Sequence, residues 1–130
     1  MPINPETFDA KESRWGDIFA LLESKGIKVY SPTQHSGVCK DAFVVVRNDS
    51  IGQHGNYSSD DYRYELSVYV PKNQYSKLEP LVVRVREYMK ELYPMIVDER
   101  NVSSSLYDDD KQAHVVTMTF VNHRKFNFLY

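Results

Sequence analysis

Four histidines and one cysteine are the side chains of this 130-residue chain that could support nucleophilic or metal chemistry. His35, Cys39 and Asp41 share one polar stretch, and they could serve as base, nucleophile and orienting carboxylate if the fold brought them together. His54 lies in a second polar stretch and could join them. No two histidines have the spacing of ligands on one helix face, and Cys39 has no cysteine partner for a zinc site. The favoured interpretation is a half-buried thiol beside a solvated histidine, and a small enzymatic or ligand-binding domain is the alternative.

Two other groups of residues could bind ions. The carboxylates of Asp108, Asp109 and Asp110 could hold a divalent cation, but the alternating acids, glycine and terminal glutamate of a calcium loop are missing, so a solvated turn is favoured. Gly52 and Gly55 lack the lysine and the strand-to-helix context of a phosphate loop. We therefore expect no catalytic residue, no metal site and no cofactor.

The elements that must position these residues are organised around Tyr62 to Leu92. Its first half alternates apolar and polar residues, which is typical of a half-buried strand. Its second half places apolar residues at steps of three and four, which indicates an amphipathic helix beginning near Leu78, with Pro80 in its first turn and Pro94 beyond its end.

The N-terminal third predicts an irregular arm over residues 1–8, then a helix from about Asp9 to Lys25. Gly26 would follow that helix as its C′ residue. Lys28 to Tyr30 should be a short extended piece. The apolar run Ala42 to Arg47 predicts a strand covered on both faces.

The other segments are a long polar loop, a C-terminal hairpin and an aromatic tail. The loop spans Asn48 to Asp61 and is long enough to suggest a functional role. The hairpin has strands over Asn101–Tyr107 and Gln112–Asn122, joined by a turn over Asp108–Lys111. The tail covers residues 124–130.

Together these patterns predict one α+β domain over residues 1–130. Its sheet should be mostly antiparallel, with four to five strands, and both amphipathic helices should pack on one face. The formal net charge of −2 and the lack of a basic stripe argue against direct nucleic-acid binding. A lone cysteine fits a reducing compartment. We also expect no secretory signal and no contact with a membrane, because no apolar stretch is long enough.

Several exposed aromatic residues are candidates for contacts with other chains. Ten tyrosines are unusual for this length, and tyrosine suits interfaces as readily as cores. In the tail, Phe126, Phe128 and Tyr130 alternate, so they could dock on another subunit or fold back as an edge strand of their own sheet. The predicted interface set adds residues from the long loop and from the polar face of the central strand: Ile51, His54, Tyr57 and Tyr69.

The order of elements resembles the tail-terminator or tail-completion proteins of long-tailed bacteriophages, a group that includes head–tail joining proteins. The resemblance rests on the first helix, the Tyr30-Ser31-Pro32 segment, the strand AFVVVR, a long polar loop, and a strand of the YELSVYV kind. The helix LEPLVVRVREYMKEL and the closing strand HVVTMTFVNHR complete the resemblance, which covers essentially the whole chain. Cys39 and the histidine-bearing loops match no feature of that family.

The resemblance implies a virion structural protein without enzymatic activity. Such a protein forms a ring, typically of six copies, that caps the tail tube and meets the head connector or neck protein. It would be assembled in the host bacterial cytoplasm and would reside in the tail of a phage, prophage or bacteriocin-type particle. A head-completion or connector protein of the virion is the nearest alternative.

Overall fold

The structure is a computed structural model that describes residues 14–50 and 62–122. Within those ranges the regular elements are two α-helices and six strands, in the order α1 (Trp15–Ser24), β1 (Val29–Tyr30), β2 (Phe43–Ser50), β3 (Tyr62–Pro71), α2 (Leu78–Met89), β4 (Val97–Val102), β5 (Leu106–Asp108) and β6 (Ala113–Asn122). Short 3₁₀ helices over Lys72–Lys77 and Lys90–Leu92 flank α2.

All six strands form one sheet in the order β1-β2-β3-β6-β4, and β5 pairs with the same edge of β6 as β4. Only β1 and β2 are parallel. The long central pair aligns Leu66 with Met118 and Val68 with Val116. The apolar alternation predicted for both strands therefore falls on one face of the sheet.

Both helices cover that face. Ile18 and Leu22 of α1 and Val82, Val85 and Met89 of α2 join one buried cluster with the apolar residues of β2, β3 and β6. Hydrogen bonds also tie α1 to the sheet: the Trp15 indole N–H donates to the Val46 carbonyl at 2.8 Å, and the Arg14 N–H donates to the Tyr64 hydroxyl at 2.8 Å. The prediction of two helices on one face is confirmed.

The helix ends follow local sequence. At the end of α1, Gly26 has φ +84°, its N–H donates to the Glu23 carbonyl, and the Ile27 N–H donates to the Leu22 carbonyl. This is the Schellman arrangement, which favours glycine because the left-handed backbone costs other residues energy. α2 begins at Leu78, so Pro80 lies where backbone N–H groups have no helical partner. The predicted start of α2 and the role of Gly26 are confirmed, but α1 begins at Trp15, after the non-helical Arg14, and not as part of one helix running from about Asp9.

The α+β class with a mostly antiparallel sheet is also confirmed, but the strand count differs. The described part of the chain contains six strands where four to five were predicted. The predicted strand over Asn101–Tyr107 is split, because residues 103–105 interrupt the edge between β4 and β5. β4 also begins at Val97, earlier than predicted, so residues read as a connection supply an edge strand. The arm over residues 1–8, most of the long loop and the tail over 124–130 lie outside the described residues.

Candidate functional site

The polar stretch around His35 packs on the face of the sheet opposite the helices. Four rings pack there, and we call the group the aromatic corner: Tyr30, His35, Phe43 and Tyr69. The His35 ring stacks on Phe43 at 4.2 Å between centroids, and Phe43 stacks on Tyr69 at 4.7 Å. Tyr30 meets both His35 and Phe43 edge-on at 5.2 Å. Phe43 is 1% exposed, so this end of β2 is covered on both faces, as its apolar run predicted.

Lys111, in the turn before β6, fastens the aromatic corner. Its Nζ lies 2.9 Å from His35 Nδ1 and donates to the His35 carbonyl at 3.3 Å, while the Cys39 N–H donates to the Lys111 carbonyl at 2.8 Å. An ammonium group can only donate, so His35 Nδ1 accepts and the imidazole is neutral with its proton on Nε2. Burial, with a smaller contribution from the Lys111 charge, lowers the pKa of His35. The geometry and the charge both favour a neutral ring.

Cys39 is 3% exposed and packs beside Phe43 and Ala113. Its thiol donates to the Asp41 carbonyl at 3.2 Å, and the Asp41 carboxylate is engaged by Lys28 at 2.9 Å. Burial raises the pKa of the Cys39 thiol, so the thiolate is disfavoured. His35 Nδ1 is bonded to Lys111. The described part of the chain therefore gives Cys39 no activating base, and His54, the third residue of the alternative site, lies outside it.

The acidic turn behaves as a turn within the described residues. The Lys111 N–H donates to Asp108 Oδ1 at 3.1 Å, while Asp109 and Asp110 are exposed. Over residues 14–50 and 62–122, no group of three or more His, Cys, Asp or Glu side chains could hold a metal ion. Neither α-helix in those ranges is long and apolar enough to cross a membrane.

Only one residue of the predicted interface set falls within the described residues. The Tyr69 ring is half-buried and stacked on Phe43 in its own chain, and burial raises the pKa of its hydroxyl. Its role in partner contacts stays a prediction. The others lie outside the described residues: Ile51, His54, Tyr57, Phe126, Phe128 and Tyr130.

The sheet face beside the aromatic corner is polar and internally paired. Arg63 bonds Glu99 at 3.1 Å, Arg47 lies 3.5 Å from Glu65, and the hydroxyls of Ser67 and Thr117 are 3.2 Å apart. These are cross-strand pairs of the kind that stabilise a half-exposed sheet face. They leave little apolar surface for a partner.

A second surface, which sequence patterns did not reveal, runs between α2 and the β4–β5 edge. We call it the edge groove; it consists of two adjoining cavities of about 600 and 540 Å³ that meet at Arg86. Its walls include apolar side chains that face solvent: Tyr75 (55% exposed), Val83 (54%), Tyr93 (69%) and Val102 (38%). Arg86 Nε donates to Asp98 Oδ2 at 2.8 Å and joins α2 to β4 across the middle.

The edge groove exists because the helices stop short of the sheet's edge. The main contacts of α1 are with β1 and β2 and those of α2 are with β3 and β6, whereas β4 is met by the short 3₁₀ helix Lys90–Leu92 and by the Arg86–Asp98 ion pair. No other strand in residues 14–50 and 62–122 pairs with the outer edge of β4 or β5. An unpaired edge beside exposed apolar side chains is a surface on which another chain can bind.

Comparison with known proteins did not assign a family: no protein-family model matches the chain, and no curated protein matches it either.

Proposed function

We propose that this protein is a non-enzymatic structural adaptor of a phage or phage-like tail, whose function is to bind copies of itself and neighbouring tail components. The edge groove with its unpaired β4–β5 strands carries the proposal, because it combines exposed apolar side chains with free backbone hydrogen-bonding groups. Such a surface is costly for a monomer and useful for an assembly.

The aromatic corner supports the same reading. The Cys39 thiol is bonded to the Asp41 carbonyl, and the His35 ring is bonded to the Lys111 ammonium and stacked on Phe43. These contacts hold the loop against the sheet. A site of this kind stabilises structure and leaves Cys39 protonated. In this proposal His35 and Cys39, the residues most suited to chemistry, stabilise the packing of the loop on the sheet.

The proposed assembly is a ring, with six copies as the expected number, that caps the tail tube and meets the head connector or neck protein. The number and the partners come from the resemblance of the element order to tail-terminator proteins. The ring would form in the host cytoplasm and remain in the virion tail. Its binding would involve neither nucleic acid nor membrane, and it would use no cofactor.

The test measures assembly directly. The purified chain should form a discrete oligomer by light scattering, appear as a ring by negative-stain electron microscopy, and bind the ends of isolated tail tubes. A protein that stays monomeric at its highest soluble concentration and ignores tail tubes would contradict the proposal.

Removal of Phe126 to Tyr130 gives a second test. We expect this deletion to reduce ring formation more than it lowers the urea midpoint of unfolding, because the three alternating aromatic residues are proposed to contact another subunit. A deletion that leaves ring formation intact would remove the tail from the interface.

A further inference from the structure

The edge groove ends in a cationic mouth. Its larger cavity is lined by the cationic side chains of Arg86, Lys90 and Arg100 against the single carboxylate of Asp98. Both oxygens of that carboxylate are used: Oδ2 accepts from Arg86 Nε at 2.8 Å and Oδ1 accepts from the Arg100 backbone N–H at 2.7 Å. Lys90 is exposed and contacts Glu87 at 3.0 Å, also exposed.

Arg100 is held in an unusual conformation at this mouth. Its backbone has φ +59°, a region that non-glycine residues enter at a cost, and the Asp98 carboxylate holds it there. The Arg100 side chain is exposed and forms no ion pair with any residue in 14–50 or 62–122. This cation, without an ion-pair partner in those ranges, lines the same cavity as the exposed ring of Tyr93.

The opposite end of the same sheet edge is acidic. The β5–β6 turn presents Asp109 and Asp110, both exposed and without ion pairs in the described residues. Its only lysine, Lys111, is directed to His35. Leu106 (62% exposed) and Tyr107 (46%) stand just before the turn. We call this segment, residues 106–110, the acidic tip.

The acidic tip and the cationic mouth cannot meet within one chain. They lie at different positions along β6, since Asp108 pairs with Ala113 near the start of that strand and Asp98 pairs with Phe120 near its end. At a rise of about 3.3 Å per residue, those seven steps amount to roughly 23 Å of rigid strand. Any pairing of the two surfaces needs a second copy.

We propose that the acidic tip of one copy docks in the cationic mouth of the edge groove of a second copy. Asp109 and Asp110 would face Lys90 and Arg100, while Leu106 or Tyr107 would cover Tyr93. The charges are complementary and each is flanked by exposed apolar surface, which is the composition of a specific interface. The contact is heterologous, joining different surfaces of identical chains, so it repeats head to tail and closes into a ring if the rotation allows. This inference rests on the proposed ring and names its subunit contact.

Charge reversal on each side tests the contact. The mouth variant is Lys90→Glu with Arg100→Glu, and the tip variant is Asp109→Lys with Asp110→Lys; all four positions are exposed, so folding should be retained. A matched control, Arg47→Glu with Arg84→Glu, makes the same change in net charge as the mouth variant at two exposed positions that neither line the groove nor belong to the acidic tip. Association is measured by sedimentation equilibrium, with circular dichroism to confirm folding.

Each variant alone should weaken self-association at least about tenfold, because like charges then face each other. A chain carrying all four changes should recover wild-type association, and so should an equimolar mixture of the two variants, since every contact in an alternating assembly is again complementary. The control should associate like wild type.

The contrary outcomes separate the two proposals. A wild-type ring that persists unchanged in the mouth and tip variants would overturn this contact and leave the ring standing. Weakened variants that neither the combined chain nor the mixture restores would also overturn it, because the two surfaces would then bind other partners. A wild-type chain that neither oligomerises nor binds tail tubes would overturn both proposals.

Discussion

The aromatic corner and the edge groove both contain apolar sheet surface that the α-helices do not cover, and they differ in whether another part of the chain covers it. At the corner, the chain's own loop lays His35 and Cys39 over Phe43, and Lys111 fastens the loop. At the edge groove, Val83 and Tyr93 remain exposed. A surface closed by its own chain stabilises the fold, whereas a surface left open is available for assembly.

Substitution of Phe43 tests the corner with the largest expected effect. Phe43→Ala removes a ring that is 1% exposed and touches three other rings, so we expect a loss of ~3–5 kcal/mol in the free energy of unfolding. Urea denaturation measures it. A loss below about 1 kcal/mol would mean that the corner contributes little to stability, and the contrast with the edge groove would fail.

A matched pair of valines on α2 tests the edge groove. Val85 is 0% exposed and Val83 is 54% exposed, so the same change to alanine removes the same atoms from two environments. Val85→Ala should cost about 2 kcal/mol, and Val83→Ala less than about 0.5 kcal/mol. Equal losses in urea denaturation of the monomer would show that Val83 is covered within its own chain.

Lys111→Met should have a smaller effect on the corner, about 1 kcal/mol, because the ammonium's hydrogen bonds to His35 are lost. The pKa of His35, followed by NMR, should rise, since the repelling charge is gone. The control is Lys77→Met, an exposed lysine that contacts no residue of the corner cluster and does not line the cavity beside His35. An unchanged His35 pKa would contradict the assigned contact.

The smallest effect concerns pH. Burial and Lys111 lower the pKa of His35 from 6.5 in the folded chain, so the unfolded chain binds the proton more readily. The stabilisation from the neutral ring is present above about pH 6.5 and is lost as pH falls through the lower folded value. The charged or titratable groups around the loop are Lys28, Tyr30, Cys39, Lys40, Asp41, Tyr69, Asp108 and Lys111.

The measurement is the urea midpoint from about pH 7.5 to about pH 5, the range in which histidine titrates. Wild type should lose more stability on acidification than His35→Gln, which keeps a polar side chain without the titrating ring. Parallel pH profiles would show that His35 is not the responsive group. His114 and the carboxylates of the chain are common to both proteins, so their contributions cancel in the difference.

Local sequence was sufficient where short-range geometry decides the structure. The period-two pattern of Tyr64, Leu66 and Val68 predicts the central strand and its buried face, and steps of three and four predict α2. Gly26 marks the end of α1 because few other residues accept φ +84°. These features depend on neighbours a few residues away.

The long-range contacts were not predictable. Cys39 and His35 are close in sequence, yet their partners are the Asp41 carbonyl and Lys111, and the second of these comes from a turn 76 residues away from His35. The first four residues of β4, 97–100, were missed because three of them are charged and show no alternation of apolar and polar side chains. No pattern in the sequence indicates which loop will cover which strand.

The sequence by itself determined the α+β class, the two amphipathic helices and the central strands, because side-chain period and turn chemistry act locally. Tertiary structure decided which apolar surfaces are closed and which remain open. That outcome depends on where the helices stop across the sheet and where the loop over residues 31–41 packs, and both follow from contacts between distant parts of the chain.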